Sequence, residues 1–551
     1  MNRKEDELPP GFSVIHSNRM ENLRKIAVKW VYRHPLAPLE NELFIVQSNG
    51  MAQWLKLALA EDDGCGISAA VTFQLPARFL WQAYRAVLGP DEIPPESPYD
   101  KERLKWRLMR LLPTLSGENN FSPLSRFLSD DPDLRKQYQL ACRLADLYDQ
   151  YQVYRADWLE DWALGRDQLR NAYGKPDPLP PGQSWQADLW RRIRSDVPAM
   201  ERDTSRSSLH RRFLKAARAL PKRPIFLPRR VIVFGISTLP KQALEAFHTL
   251  SRHSQVLFFV HNPCRHYWAD IIEDRELLRI KQVRHSRKAG ALKNMRPESL
   301  HQVVNPLLAS WGKQGRDYIG LLYGYDQPEA YRKSFGEIDL FDDFVAEGRM
   351  CLLQQVQQAI LELAPLPGAD EKKQPVSPDD HSISFQLAYS RQREVEILQD
   401  QLLDLFKRNP DLKPKDIIVL TPDINAYTPH IESVFGNLSR QDSRFVPFTI
   451  ADRPDRAGLP MLQAVEKLLQ LPGSRMAQSD LLDLLQVPAF RDRFGLGEKD
   501  VIQLQRWIDG AGIRWGLHAL HRTEFDLPPG MAQNTWAFGL HRMLLGYAVG
   551  T

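Results

Sequence analysis

The sequence predicts an α/β protein whose parallel sheets carry large inserted helical subdomains. Three observations lead there. Apolar runs of strand length recur at 12–15 (FSVI), 43–46 (LFIV) and 231–235 (VIVFG), and each passes through a turn into a helical pattern. Strand–helix–strand order of this kind makes neighbouring strands parallel, joined by crossover helices. Between the second and third runs the periodicity is helical for a long way, after which the chain returns to the sheet.

Size and composition bound the rest. At 551 residues the chain holds several domains, since a single core stops growing well below that length. A hydrophobic content of 43% and a charged content of 26% are those of an ordinary soluble protein. The four cysteines (Cys65, Cys142, Cys264 and Cys351) lie far apart without a CxxC, which argues against zinc and against a disulfide framework. The opening MNRKEDELPPG has no apolar core for a signal peptide, and no eighteen apolar residues run together. The expectation is a cytoplasmic protein with no membrane contact.

Taken in order, the first strand (12–15) precedes a helix over 18–31 with Ser17 or Asn18 as its cap. The second strand (43–46) is followed by the turn Gln47-Ser48-Asn49-Gly50 and a helix from Met51. Residues 101–112 place Leu104, Leu108, Leu111 and Leu112 on one helical face, and Pro113 stops the helix. Residues 133–155 form another amphipathic helix, with Leu140, Leu144, Leu147, Tyr148 and Tyr151 facing the core. The Pro/Gly-rich stretch 171–182 is a candidate hinge, and a basic run from Arg206 to Arg230 suits a phosphate-lined path. The strand 231–235 leads to a helix over 241–250 and a strand over 256–260. The segment 275–296 is a basic loop for DNA or a partner, and 305–319 is a helix with Trp311 buried. A linker composition marks 364–380. Beyond it come a strand at 383–387, a helix over 391–406, a strand at 417–420, and helices over 480–485, 501–507 and 536–547.

The turn after the second strand is the first candidate site. In an open parallel sheet such turns lie at the carboxyl edge, where ligands bind. A triphosphate site there needs glycines, a Lys and a Ser or Thr, and this turn has one Gly and no Lys. The turn at Ile236-Ser237-Thr238 lacks the acid that would hold magnesium, and Gly312-Lys313 lacks the rest of a phosphate loop. Gln47, Asn49 and Gln53 can instead exchange hydrogen bonds with base edges. On the helix over 133–155, Asp146, Asp149 and Gln150 stand at i, i+3 and i+4 and share a polar face. Carboxylates accept from cytosine N4 and amides pair with adenine, while a plain solvated helix face is the alternative. Trp81 is a stacking platform or a core residue.

Several segments carry a resemblance. VQSNGMAQWL (46–55), FQLPARFLW (73–81) and DLYDQYQVYRADWL (146–159) are followed in order by NPLLASWGKQGRDYI (305–319), RQREVEIL (391–398), DIIVLTPDINAY (416–427) and GIRWG (512–516). Together they resemble the RecC family, the gamma chains of exodeoxyribonuclease V, the RecBCD helicase–nuclease. The resemblance covers all but the first dozen residues. It implies superfamily-one-helicase-like domains whose ATPase motifs are lost. Residues 1–90 would open the first such domain, 91–225 form its inserted helical subdomain, and 226–363 complete it. Residues 364–380 would link it to the start of a second helicase-like domain over 381–551, with the family's C-terminal nuclease-like domain absent.

The resemblance also implies a function. Such a chain is a non-catalytic DNA-binding subunit beside RecB-like and RecD-like partners, in a complex that unwinds forked double-stranded DNA. It channels the unwound single strand and recognises Chi during recombinational break repair. ATP and magnesium are held by the partners, with no cofactor or metal in this chain. The family's Chi-reading positions match Gln47, Asn49, Gln53, Leu75, Trp81, Asp146, Leu147, Asp149, Gln150, Arg155 and Arg206. Asn49 departs from the Thr of a family member, which puts one contact in doubt. RQREVE resembles a helicase motif whose Arg meets nucleotide, but here an ion pair of Arg391 or Arg393 with Glu394 or Glu396 is the expectation. The competing readings are an ATP-driven helicase or nuclease in its own right, and an assembly scaffold that touches no DNA.

Overall fold

Strands that are apolar on both faces need cover on both sides, and the first half of the chain supplies it. The structure, a computed structural model, describes residues 9–550 apart from 39, 116, 130–133, 172–173, 181, 270–304, 327–339, 345–349, 367–374 and 452–458. The basic segment 275–296 lies outside the described residues. The chain divides into two compact units, Met1–Ile383 and Ser384–Thr551.

In the first unit, β1 (Gly11–Ser17) leads to α1 (Met20–Arg33), β2 (Glu42–Ile45) to α2 (Asn49–Ala60), and β3 (Val71–Gln74) to α3 (Pro76–Leu88). A helical layer follows before the chain returns to the sheet. The layer comprises α4 (Lys101–Leu115), α5 (Ser122–Leu128), α6 (Arg135–Tyr154), α7 (Ala156–Ala163) and α8 (Ser184–Asp196). Between α7 and α8 sits a small hairpin of β4 (Gln168–Arg170) and β5 (Pro176–Pro178). The return is α9 (Arg206–Ala219), β6 (Arg230–Phe234), α10 (Lys241–Leu250) and β7 (Gln255–His261). The five long-range strands are parallel in the order β1-β7-β6-β2-β3.

Side-chain alternation assigns each strand residue to one of two cores. Leu43, Ile45, Val231, Val233, Val256 and Phe258 meet α3, α9 and α10 through Phe79, Phe213 and Phe247. Phe44, Val46, Ile232, Phe234, Leu257 and Phe259 meet α1 and α2 through Leu23, Ala27, Leu55 and Leu59. The helical layer has its own core around Leu104, Leu108, Leu144, Tyr148, Trp162 and Trp190. Leu140, Leu147 and Tyr151 of α6 pack partly buried against it, as their spacing requires.

Several expectations need correction. Pro113 does not stop its helix; α4 continues to Leu115, which is buried in the layer's core. Ser17 and Asn18 do not cap α1. The Ser17 hydroxyl donates to the Leu340 carbonyl at 2.6 Å and the Asn18 amide to the Asp342 carbonyl at 2.8 Å, so their polar groups tie β1 to a distant segment. The stretch 171–182 is not a plain loop, because part of it forms the β4–β5 hairpin. Its flanking helices α7 and α8 share one core through Leu159, Trp162, Ala187 and Trp190. Residues 305–319 are two helices, α11 (Pro306–Trp311) and α12 (Lys313–Tyr323), broken at Gly312. Trp311 is 82% exposed rather than buried, since Leu308 and Ala309 take the inward face. Trp268 fills the space beside Gly312, where an added Cβ would come within 2.9 Å of its ring. After these, α13 (Leu352–Leu361) closes the unit.

Arg230 leaves the supposed phosphate path altogether. Its side chain is fully buried at the amino end of the sheet, where Nη1 donates to Glu42 Oε1 at 2.7 Å, Nε to Gln255 Oε1 at 3.0 Å and Nη2 to the His34 carbonyl at 2.6 Å. Arg211, Arg212 and Arg229 pair with Glu160, Glu92 and Glu40. Much of that basic run is spent on internal partners.

In the second unit, α14 (Arg391–Arg408) and α15 (Ile424–Phe435) pack around Val395, Leu402, Phe435 and Val446. Arg393 pairs with Glu396 at 2.9 Å, as expected of that motif. Among the described residues five further helices of six or more residues follow: α16 (Pro460–Gln470), α17 (Gln478–Leu485), α18 (Pro488–Arg493), α19 (Glu498–Ala511) and, after a short turn of helix, α20 (Trp536–Val549). Gly539 of α20 lies so close to Ile513 that a Cβ would fall 2.1 Å from it. The strands expected at 383–387 and 417–420 are not found: neither segment pairs with a described strand. Phe385, Leu387, Ile418 and Leu420 are 80–93% exposed. Among the described residues no helix is long and apolar enough to cross a membrane.

Candidate nucleic-acid interface

Register brings the first group of residues together. Ile45 of β2 lies level with Gln74 of β3 on one side and Val233 of β6 on the other. Gln47, Leu75 and Ser237 therefore leave the same carboxyl edge from three adjacent strands. The β6 turn depends on Gly235, whose φ is +64° and whose added Cβ would come within 2.8 Å of Met20 Cε. Gln47 Oε1 accepts a hydrogen bond from the Ser237 hydroxyl at 3.4 Å, tying the two turns.

Ser48 caps α2, its hydroxyl accepting from the Met51 N–H at 3.2 Å. The helix thus starts two residues earlier than Met51, and Asn49 falls in its first turn. Gln47, Asn49 and Gln53 are all exposed, and Asn49 and Gln53 stand one turn apart on one face. The side chains on offer are neutral amides that both donate and accept.

Leu75 precedes α3 and is 51% exposed at this edge. Trp81 is partly buried against the sheet core. Its indole N–H donates to the carbonyls of Pro95 at 2.9 Å and Pro94 at 3.3 Å, which fixes the ring's orientation. Trp81 thus packs against the core in part and is otherwise open.

The second group is charged. On α6, Asp146 Oδ1 accepts from Lys101 Nζ at 2.7 Å and Oδ2 from Gln150 Nε2 at 3.2 Å. The Lys101 ammonium holds the Asp146 carboxyl below the usual carboxylate range. Arg206, the first residue of α9, reaches Asp100 Oδ1 at 3.2 Å and Asp149 Oδ1 at 3.4 Å. The second contact is an ion pair without a hydrogen bond; among the described residues Asp149 Oδ1 has none. Burial pushes the Asp149 carboxyl up, and Arg206 opposes that shift. Leu147 is partly buried in the layer's core, and Gln150 is exposed.

Arg155 stands apart. Its guanidinium donates to both oxygens of Asp157 at 3.0 and 2.8 Å and to the Arg170 carbonyl, and it lies 3.8 Å over the Trp158 ring. These contacts close the end of α6 onto α7 and the hairpin.

The helices bearing Trp81 and Arg206 are joined directly. The Tyr84 hydroxyl meets His210 Nδ1 at 3.0 Å, and His210 Nε2 meets Glu245 Oε2 at 3.0 Å. Tyr84 lies one turn after Trp81 on α3, and His210 one turn after Arg206 on α9. This buried relay sets the spacing of the two site helices, with α10 as its anchor. Sequence reading did not single out Asp100, Lys101, Tyr84, His210 or Glu245. Lys101 and Asp146 are 45 residues apart, and no local periodicity links them. Among the described residues no three His, Cys, Asp or Glu side chains gather as a metal site.

Fold and site define a class: a parallel α/β unit with exposed amides at its carboxyl edge and an inserted helical layer that carries paired charges. Comparison with known proteins narrows it. The family profile described as RecC, N-terminal domain, matches residues 12–363, and that of the RecBCD enzyme subunit RecC fourth domain matches 459–551. The chain belongs to the RecC family. It is 40% identical to the RecBCD enzyme subunit RecC of Escherichia coli (strain K12) over 564 aligned positions, covering 97% of this chain and 48% of that one. The Haemophilus influenzae protein of the same name is 35% identical, with 98% and 48% covered. That of Mycolicibacterium smegmatis is 27% identical, with 93% and 43% covered. The chain spans about half the length of the curated relatives it matches.

Proposed function

We propose that this chain is a non-catalytic DNA-binding part of a cytoplasmic RecBCD helicase–nuclease, on a superfamily-one-helicase-like fold that has lost its ATPase motifs. It channels the unwound single strand and recognises Chi during recombinational repair of double-strand breaks. RecB-like and RecD-like subunits are its partners on forked DNA, and ATP and magnesium chemistry belongs to them. One observation carries most weight: the carboxyl edge that holds triphosphate in a motor here offers Gln47, Asn49 and Gln53 around a Ser-capped turn with no Lys. Amides suit base edges, whereas a polyphosphate needs cations and a nest of free N–H groups.

Leu75 and Trp81 supply apolar surface beside that edge, where unpaired bases stack at roughly 1–3 kcal/mol each. Asp146, Asp149 and Gln150 supply the polar face of α6, Leu147 between them is partly buried in the layer's core and stays in the set on the family resemblance alone, and Arg206 supplies a cation for phosphate or guanine. Arg155 stays in the set on the family resemblance alone, since its guanidinium is engaged with Asp157, Trp158 and the Arg170 carbonyl.

The test is the double variant Asp146→Ala, Gln150→Ala in the assembled complex. The response to Chi falls at least tenfold while the unwinding rate stays within about twofold, on the view that these side chains read bases and hold no fold. Equal loss of both would make them structural. ATP hydrolysis by the isolated chain would instead favour a motor, and the absence of any salt-dependent single-strand binding would favour a scaffold.

A further inference from the structure

Lys101 is assigned to nothing by the fold or the family resemblance, yet it holds the central carboxylate of the charged group. It opens α4, is about half exposed, and sits 2.7 Å from Asp146. With Gln150 on the other oxygen, Asp146 has both its acceptor atoms engaged. Arg206 plays the same part for Asp100 and Asp149 from the start of α9. The face thus carries three carboxylates and two cations that cancel most of its charge. In that closed arrangement one acceptor site of each Asp146 oxygen is taken and Lys101 neutralises its charge, so it accepts more weakly from a base.

We propose that Lys101 is a nucleic-acid-binding residue of this interface and that, with Arg206, it works by exchange. A phosphate of the passing single strand takes the Lys101 ammonium, and Asp146 is freed to accept from the exocyclic amino group of cytosine or adenine. This rests on the DNA-binding reading above and adds a phosphate contact and a base preference to it. The exchange is easy because an exposed ion pair is weak and screened by salt, so one oxyanion replaces another at little cost. It also answers an electrostatic problem. Carboxylates that read bases repel the phosphates on either side, and cations released at the same moment cancel that repulsion. The deeper pair differs in degree: burial pushes the Asp149 carboxyl up, and Arg206 opposes that shift.

The experiment uses the full 551-residue chain and unstructured single-stranded oligonucleotides rich in dC or in dT, titrated over a range of salt. Thymine has no exocyclic amino group, so it reports binding without the proposed base contact. Lys101→Met reduces the slope of log affinity against log salt by about 0.7, one phosphate contact on a single strand, and keeps the preference for dC. Lys101→Arg keeps both. Asp146→Asn lowers the dC preference at least threefold and leaves the Lys101 contribution to the slope in place. Melting curves accompany each variant. A Lys101→Met chain that melts earlier but keeps the parental slope makes Lys101 a strut between α4 and α6, and overturns the exchange alone. A parental chain that binds neither oligonucleotide overturns the exchange and the DNA-binding reading together.

Discussion

Residues 231–234 (VIVF) and 417–420 (IIVL) are near-twins in sequence, and the molecule treats them oppositely. The first is the heart of β6, at most 1% exposed, with β7 paired on one edge and β2 on the other. The second pairs with no described strand, and its Ile418 and Leu420 are 80% and 83% exposed. Composition makes a segment able to be a strand. Neighbours that satisfy its N–H and C=O groups make it one.

Substitutions sharpen that contrast, and the largest effect belongs to the paired run. Phe234→Ala opens a cavity against Trp54 and Phe259, and chemical denaturation should show a loss of about 3–5 kcal/mol. A loss below 1 kcal/mol, on the order of an ordinary surface change, would mean β6 is not locked by its neighbours.

The next effect is electrostatic. Burial raises the Glu42 carboxyl from 4.5 to about 7 despite Arg230 beside it, and its Oε2 has no hydrogen bond among the described residues. The fold therefore keeps a proton that the unfolded chain gives up earlier. This contribution is complete below pH 4.5 and is lost as pH rises through about 7. Across that window the parental chain should lose about 2 kcal/mol that the Glu42→Gln chain does not. Parallel stability curves for the two chains would exclude this origin. The smallest effect is expected in the unpaired run: Ile418→Ala should leave the melting of the chain within about 0.5 kcal/mol of the parent. A larger loss would show that residues 417–420 are covered in solution.

The same contrast explains what was legible in the sequence. The runs that became β1, β2, β6 and β7, and the helix α10, are readable because their signal is local: unbroken apolar residues bounded by turns. β3 escaped notice, since its four half-buried residues form a sheet edge. Trp311 was misjudged because size alone suggested burial, while the inward face of a six-residue helix was already taken. Arg230 was counted with a basic surface, since charge in a sequence does not say whether an acid waits 188 residues away. The candidate interface divides along the same line. The polar face of α6 is written in i, i+3, i+4 spacing, and the turn at Gln47 in its missing Lys. The counter-ions Lys101 and Arg206 and the Tyr84–His210–Glu245 relay exist only through tertiary contacts.

On the proposed reading, the carboxyl edge of the first sheet and the polar face of α6 handle nucleobases rather than a nucleotide's phosphates. Photocrosslinking tests it most directly, with a halogenated-base single strand bound to the chain and the attached peptides mapped by mass spectrometry. Attachment should fall within 47–53, 75–81 and 146–155, and saturating ATP with magnesium should not reduce it. Crosslinks confined to other surfaces, or their displacement by ATP, would contradict the account.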